Sequence, residues 1–84
     1  MKNKKITLAA LPNGCQAKVN EIAAYGLEKD RLIDLGFAPG STVKVLFTSP
    51  AKNPTAYEVM GAVLALREED GKKIIVTPIC SLEY

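Results

Sequence analysis

The sequence predicts a mainly β protein: a small, strongly bent barrel of about five short strands, with one α-helix inserted between the first and second strands. Three observations carry this. Apolar residues recur in short period-two runs separated by turn residues, the mark of small β structure rather than of a helical bundle. A single segment, Leu27 to Leu35, reads as a helix and ends at a glycine, Gly36. At 84 residues the chain buries only about 60% of the surface its unfolded form exposes, so its core must be closed and economical.

The first strand is expected over Ala17 to Ile22. Its apolar positions Ala17, Val19 and Ile22 keep period two and then slip by one, which predicts a bulge near Asn20 and Glu21. The helix follows. With Gly36 in the left-handed C′ position, Phe37 becomes C″ and Leu32 becomes C3, the two residues whose side chains meet in a Schellman cap. Glu28 and Asp30 suit the first turn, where the helix dipole favours negative charge, and Glu28 is placed to reach Arg31 three residues on. Ala38-Pro39-Gly40-Ser41 reads as a type II turn, because Pro39 presets φ at the second position and Gly40 accepts positive φ at the third. The helix is thereby joined in fixed orientation to a strand, Thr42 to Thr48, expected to place Val43, Val45 and Phe47 on one face with Lys44 and Leu46 on the other.

Pro50 to Thr55 reads as a loop, followed by a short strand in which Tyr57 and Val59 alternate with Glu58 and Met60 and which Gly61 turns. In the run Ala62 to Arg67, Ala62, Leu64 and Leu66 share one face and Val63 and Ala65 the other. "EEDGKK" then reverses the chain, by an Asp70-Gly71 hairpin turn or one turn of 3-10 helix, into Lys73 to Thr77, where Ile74 and Val76 return to the core. Such a set of elements suits a barrel of the SH3-like kind, read here as one domain over residues 1–84 with its core at about 6–77.

Composition excludes several functions. Hydrophobic content of 48% with 24% charged residues is that of a folded chain, far from the disordered regime. A net charge of +2, from 11 basic and 9 acidic residues that are scattered apart from Lys2, Lys4 and Lys5, argues against nucleic acid, as does the shortage of aromatic stacking platforms. The N-terminus "MKNKKITLAALPNGC" imitates a lipoprotein signal but its apolar run, Ile6 to Leu11, is short of the ~7–15 residues of a secretory segment. No apolar run approaches the ~18 residues of a membrane span. A cytoplasmic protein is therefore expected.

The chain has two cysteines, Cys15 and Cys80, and no histidine. They read as small buried hydrophobes of a reducing compartment, with a disulfide left open as the alternative. They are too few for a structural zinc site. No histidine base, no phosphate-binding loop and no group to activate a thiol is present, so no catalytic residue and no cofactor are expected.

The run "RLIDLGFAPGSTVKVL", with "LPNGCQAKVNEI" before it and "NPTAYEVMGAVLALREEDGKKIIV" after it, resembles the FeoA family, small cytoplasmic proteins of bacterial ferrous iron uptake. The matching parts are Leu-x-x-Gly at Leu11 to Gly14, Arg-Leu-x-x-Leu-Gly-x-x-Pro-Gly at Arg31 to Gly40, and a loop proline before a hairpin ending "ALR". Gly71 and Lys72 stand where the family is expected to carry an alanine-bearing helical turn. The resemblance implies an SH3-like barrel, no catalytic residues, and a role as accessory to FeoB, a membrane ferrous iron transporter with a cytoplasmic GTPase domain.

A small barrel without chemistry of its own acts by binding. The candidate surface is the outer face joining helix and strand, where Arg31 offers a forked donor and Leu35, Leu46, Val63 and Ile75 are candidate contact residues. Leu32, Gly36, Phe37, Pro39 and Gly40 are read as the structural motif beneath it. The alternative is a free-standing, metal-responsive regulatory domain similar to the C-terminal SH3-like domain of iron-dependent repressors, and an uncovered strand edge leaves room for homo-oligomers. No metal site is assigned. Titration calorimetry with ferrous iron is expected to show only weak, sub-stoichiometric uptake; one tight site per chain would contradict the ligand shortage.

Overall fold

In the computed structural model, residues 4–48 and 54–79 are described. They form β1 (Ile6–Thr7), a 3-10 turn (Leu8–Ala10), β2 (Gln16–Ile22), α1 (Gly26–Asp34), β3 (Thr42–Thr48), β4 (Thr55–Val59), β5 (Ala62–Leu66), α2 (Glu68–Gly71) and β6 (Ile74–Pro78). The strands make one six-stranded sheet in the order β1-β6-β2-β3-β4-β5, antiparallel at every junction. All five expected strands are present. The sixth, β1, was concealed in the run read as apolar sequence from Ile6 to Leu11: two residues are too short to display a period. The loop expected at Pro50 to Thr55 falls mostly outside the described residues.

The helix ends as its glycine requires. Gly36 has φ +115°; its N–H donates to Ile33 O at 3.0 Å, and the Phe37 N–H donates to Leu32 O at 3.1 Å. These are the two bonds of a Schellman motif, and they bring together Leu32 and Phe37, both fully buried. Pro39 and Gly40 then reverse the chain, with Gly40 at φ +96° and the Ser41 N–H donating to Ala38 O at 3.0 Å. The turn is fastened to β2 on both sides: the Gly40 N–H donates to Val19 O and the Val19 N–H to Ser41 O, each at 2.8 Å.

Two bulges bend the sheet. In β2 the register slips between Val19 and Glu21, where the sequence places it, and the Thr77 hydroxyl donates to Asn20 Oδ1 across the irregularity at 2.5 Å. The second, between Val45 and Phe47 opposite Tyr57 and Ala56, corrects the expected face of β3. Val43 and Val45 are buried, but the extra residue, Leu46, reverses the alternation and leaves Phe47 61% exposed.

The reversal after β5 is a four-residue helical turn, α2, and neither an Asp70-Gly71 hairpin turn nor a 3-10 turn. Its packing explains the difference. Gly71 is buried, and a Cβ there would lie 3.3 Å from that of Ala9 and 3.4 Å from the Ala9 nitrogen, so α2 sits directly on the 3-10 turn after β1. Within the sheet, Ala17, Val19, Val43, Val45, Ile74 and Val76 line the core. The barrel is not closed by backbone pairing: β1 and β5 end the sheet and do not pair with each other.

Replacing Gly36 by Val should lower the unfolding free energy by about 2 kcal/mol or more, since it forces a β-branched residue to positive φ and sets a Cβ 3.1 Å from Met60 Cγ. Urea unfolding followed by far-UV circular dichroism measures this. Gly40→Val, where a Cβ meets nothing within 4 Å, should lose only the backbone part.

Candidate functional site

Helix α1 is a 3.6-period element carried over the end of the sheet, and what it turns outward is decided by how it is tethered. The Arg31 Nη2 lies 3.4 Å from Asp70 Oδ2 of α2, and Lys73, at the entry to β6, is paired with Glu28. The expected contact between Glu28 and Arg31 is thus replaced by two pairs reaching across to the neighbouring segment, because the fold sets an opposite charge beside each one. A backbone bond from the Ala23 N–H to Lys73 O at 2.6 Å reinforces the same junction. The Arg31 side chain remains 63% exposed, so most of its donors face water.

The predicted contact residues divide by place. Leu35, four positions from Arg31 on α1, is 39% exposed and Val63 on β5 is 64% exposed. Leu46 and Ile75 are only half-buried outward, Leu46 as the bulge residue of β3 and Ile75 between Thr7 and Glu21 in the sheet. Val63 stands in a cross-strand row with Glu58, Lys44 and Gln16, and the Ile79 N–H donates to Gln16 O. Ile75 therefore lies four residues away along β6 from the Val63 row. The structure brings Val63 near Lys44 and Glu58 and keeps Ile75 apart.

Met60, expected from the sequence to continue the strand after Val59, lies instead in the turn beyond β4 and links the helix end to this row. It occupies a two-residue turn with Gly61, at φ +55° and +80°, so its side chain projects from the sheet and is 76% exposed. It stands beside Gly36. With Gly61, Gln16, Thr42, Lys44 and Glu58 it lines a shallow open hollow. Met60 and Val63 are thus exposed apolar positions beside Lys44 and Glu58, and Leu35 precedes the Gly36 that stands against Met60. Tyr25 and Leu27, 89% and 87% exposed, form a second apolar projection at the start of α1. Leu27 was legible as an apolar residue leading the charged run Glu28 to Asp30; Met60 gave no signal before the turn was seen.

Among the described residues no group of three or more His, Cys, Asp or Glu side chains could hold a metal ion, and no helix is long and apolar enough to cross a membrane. Cys15 is buried, as expected, and disulfide-bonded, the alternative that the sequence left open beside reduced thiols; Cys80 lies outside the described residues. Among the described residues, two groups have shifted titration. Burial raises the Tyr57 phenol above 10.0 against an opposing hydrogen bond with Thr55, and the ring meets Phe37 edge to face at 6.2 Å. The Glu28 hydrogen bond raises Lys73 above 10.5.

Residues 6–78 match the family described as FeoA domain. The chain is 34% identical over 74 residues to an Fe(2+) transport protein A/Fe(2+) transporter FeoB fusion protein of Porphyromonas gingivalis, covering 88% of this chain but 9% of that much longer one. It superposes on Stenotrophomonas maltophilia FeoA, a prokaryotic SH3 domain protein solved in complex with zinc, with a TM-score of 0.74 at 28% identity, covering 84% of this chain and 88% of that one. A manganese-dependent transcriptional repressor matches with a TM-score of 0.81 over 94% of this chain and 44% of its own, at 18% identity. That likeness is one of fold alone.

Both shifted groups are raised, so each contributes stability below its unfolded value that is lost as pH rises toward the folded value. The urea midpoint should therefore fall above about pH 10. Tyr57→Phe should flatten that decline, and Glu28→Gln should reduce the part due to Lys73, to which Asp70 and Glu69 also contribute; midpoints measured from pH 8 to 11 check both.

Proposed function

The chain belongs to the FeoA family, and from that premise we propose that it is a small, non-catalytic cytoplasmic accessory protein of bacterial ferrous iron uptake. It binds the cytoplasmic part of an FeoB-type transporter and modulates its activity or assembly. The observation that best supports this is the relative in which an A-type protein and the transporter are a single polypeptide. Tethering two modules raises their effective concentration to about millimolar for short linkers, which is useful only where the two act together.

Geometry supports a binding role of this kind. Met60 and Val63 offer apolar anchors beside Lys44 and Glu58, Leu35 precedes the Gly36 that stands against Met60, and Arg31, four residues before Leu35, keeps most of its side chain exposed. Arg31, Leu35 and Val63 carry most of the contact in this reading; Leu46, half-buried, contributes at its margin, and Ile75, held between Thr7 and Glu21, lies outside it. Burying a few such side chains in a partner pocket is the usual way a small interface concentrates its energy.

Membranes carrying the transporter should retain the purified chain in a co-purification, assayed with and without bound nucleotide; failure to retain it in both states would overturn the proposal. Arg31→Glu should weaken retention by roughly tenfold, about 1.4 kcal/mol. Its thermal midpoint should fall by no more than about 4–8 °C, because the Arg31–Asp70 pair, 63% and 15% exposed, contributes about 1 kcal/mol at most.

A further inference from the structure

Proteins with open sheets usually blunt their outermost strands with brevity, charge, proline or a bulge. At one end of this sheet β1 is blunted: it has two residues and follows Lys4 and Lys5. The other end is not. β5, Ala62-Val63-Leu64-Ala65-Leu66, has five residues in unbroken register with β4, no charge, no proline and no bulge.

Register decides which backbone groups of β5 are spare. The two-residue turn Met60-Gly61, with positive φ at both positions, closes on Val59 and Ala62 as a hydrogen-bonded pair. Alternation then makes Tyr57–Leu64 and Thr55–Leu66 the other bonded pairs. The N–H and C=O groups of Val63 and Ala65 point away from β4, and both side chains are exposed.

We propose that β5 is a pairing edge for a second copy of this chain. The strands run antiparallel about a two-fold axis at Leu64, with Val63 opposite the partner's Ala65 and Ala65 opposite the partner's Val63. This register uses all the spare groups of both strands in four hydrogen bonds and joins two six-stranded sheets into one. A shift by two residues toward either end would instead bring in Gly61 of the turn or Arg67 beyond the strand. With no charge on β5, pairing sets no like charges opposite one another. The contact is the same patch on both copies, so it closes as a dimer, whereas β5 on the short β1 of another copy would propagate without closing. The partner is identified by this self-complementarity, and the dimer stands independently of any transporter.

The test uses the purified full chain. Sedimentation equilibrium should show the mass rising with concentration from 9.0 kDa toward twice that. Ala65→Pro removes an outward N–H that the hairpin itself does not use, and should raise the dimer dissociation constant at least tenfold with the far-UV circular dichroism unchanged. Leu64→Cys reads the register directly. Residues facing across a non-hydrogen-bonded pair have Cα atoms about 4.5 Å apart, within the ~4.4–6.8 Å of a disulfide, so mild oxidation should cross-link this variant but neither Val63→Cys nor the unsubstituted chain. A chain that stays monomeric at millimolar concentration overturns the inference. So does a dimer that is indifferent to Ala65→Pro, or one in which Leu64→Cys does not cross-link.

Discussion

The structure turns on the meeting of Leu32 and Phe37 beneath a glycine. Gly36 at φ +115° ends α1 with two backbone bonds that fold the chain back on itself, and both flanking side chains are completely removed from water. Each buried side chain of this size is worth about 1.5–3 kcal/mol in transfer terms, so one left-handed residue holds in place a substantial part of the core. The constraint then passes along the chain. Pro39 and Gly40 reverse it at once, and the bonds from the Gly40 N–H to Val19 O and from the Val19 N–H to Ser41 O fasten the reversal to the strand bearing the first bulge.

That backbone fastening lets the rest of the helix be polar and exposed. α1 buries one residue fully, Leu32, packs Ile33 partly against the core, and is further tied by ion pairs to α2 and to the entry of β6, which contribute little energy but fix which way the helix faces. Orientation without deep burial leaves Leu35 and Arg31 at the surface and sets the helix end at Gly36 beside Met60. What such a domain offers a partner here is an outer face kept rigid from beneath.

Bulges and edges complete that face. The Val45/Phe47 irregularity turns Phe47 out of a core that alternation would have given it. The tight Met60-Gly61 turn sets the hydrogen-bond parity of β5 and so decides which of its backbone groups are satisfied. Specificity in such a domain comes from backbone geometry as much as from side-chain identity.

Sequence alone determined what depends on neighbours in the chain. The Schellman cap at Gly36, the Pro39-Gly40 turn, the slip near Asn20 and the alternation in β4 are local, because positive φ, a fixed proline φ and a period of two are properties of a few adjacent residues. The family pattern from Arg31 to Gly40 was legible for the same reason. Tertiary structure alone decided the partners of Glu28 and Arg31, since the charges that claim them stand 45 and 39 positions away. It also placed α2 against Ala9, brought the helix end beside Met60, and separated Ile75 from Val63. Those outcomes depend on which distant segments the sheet order brings together, and no local propensity encodes them.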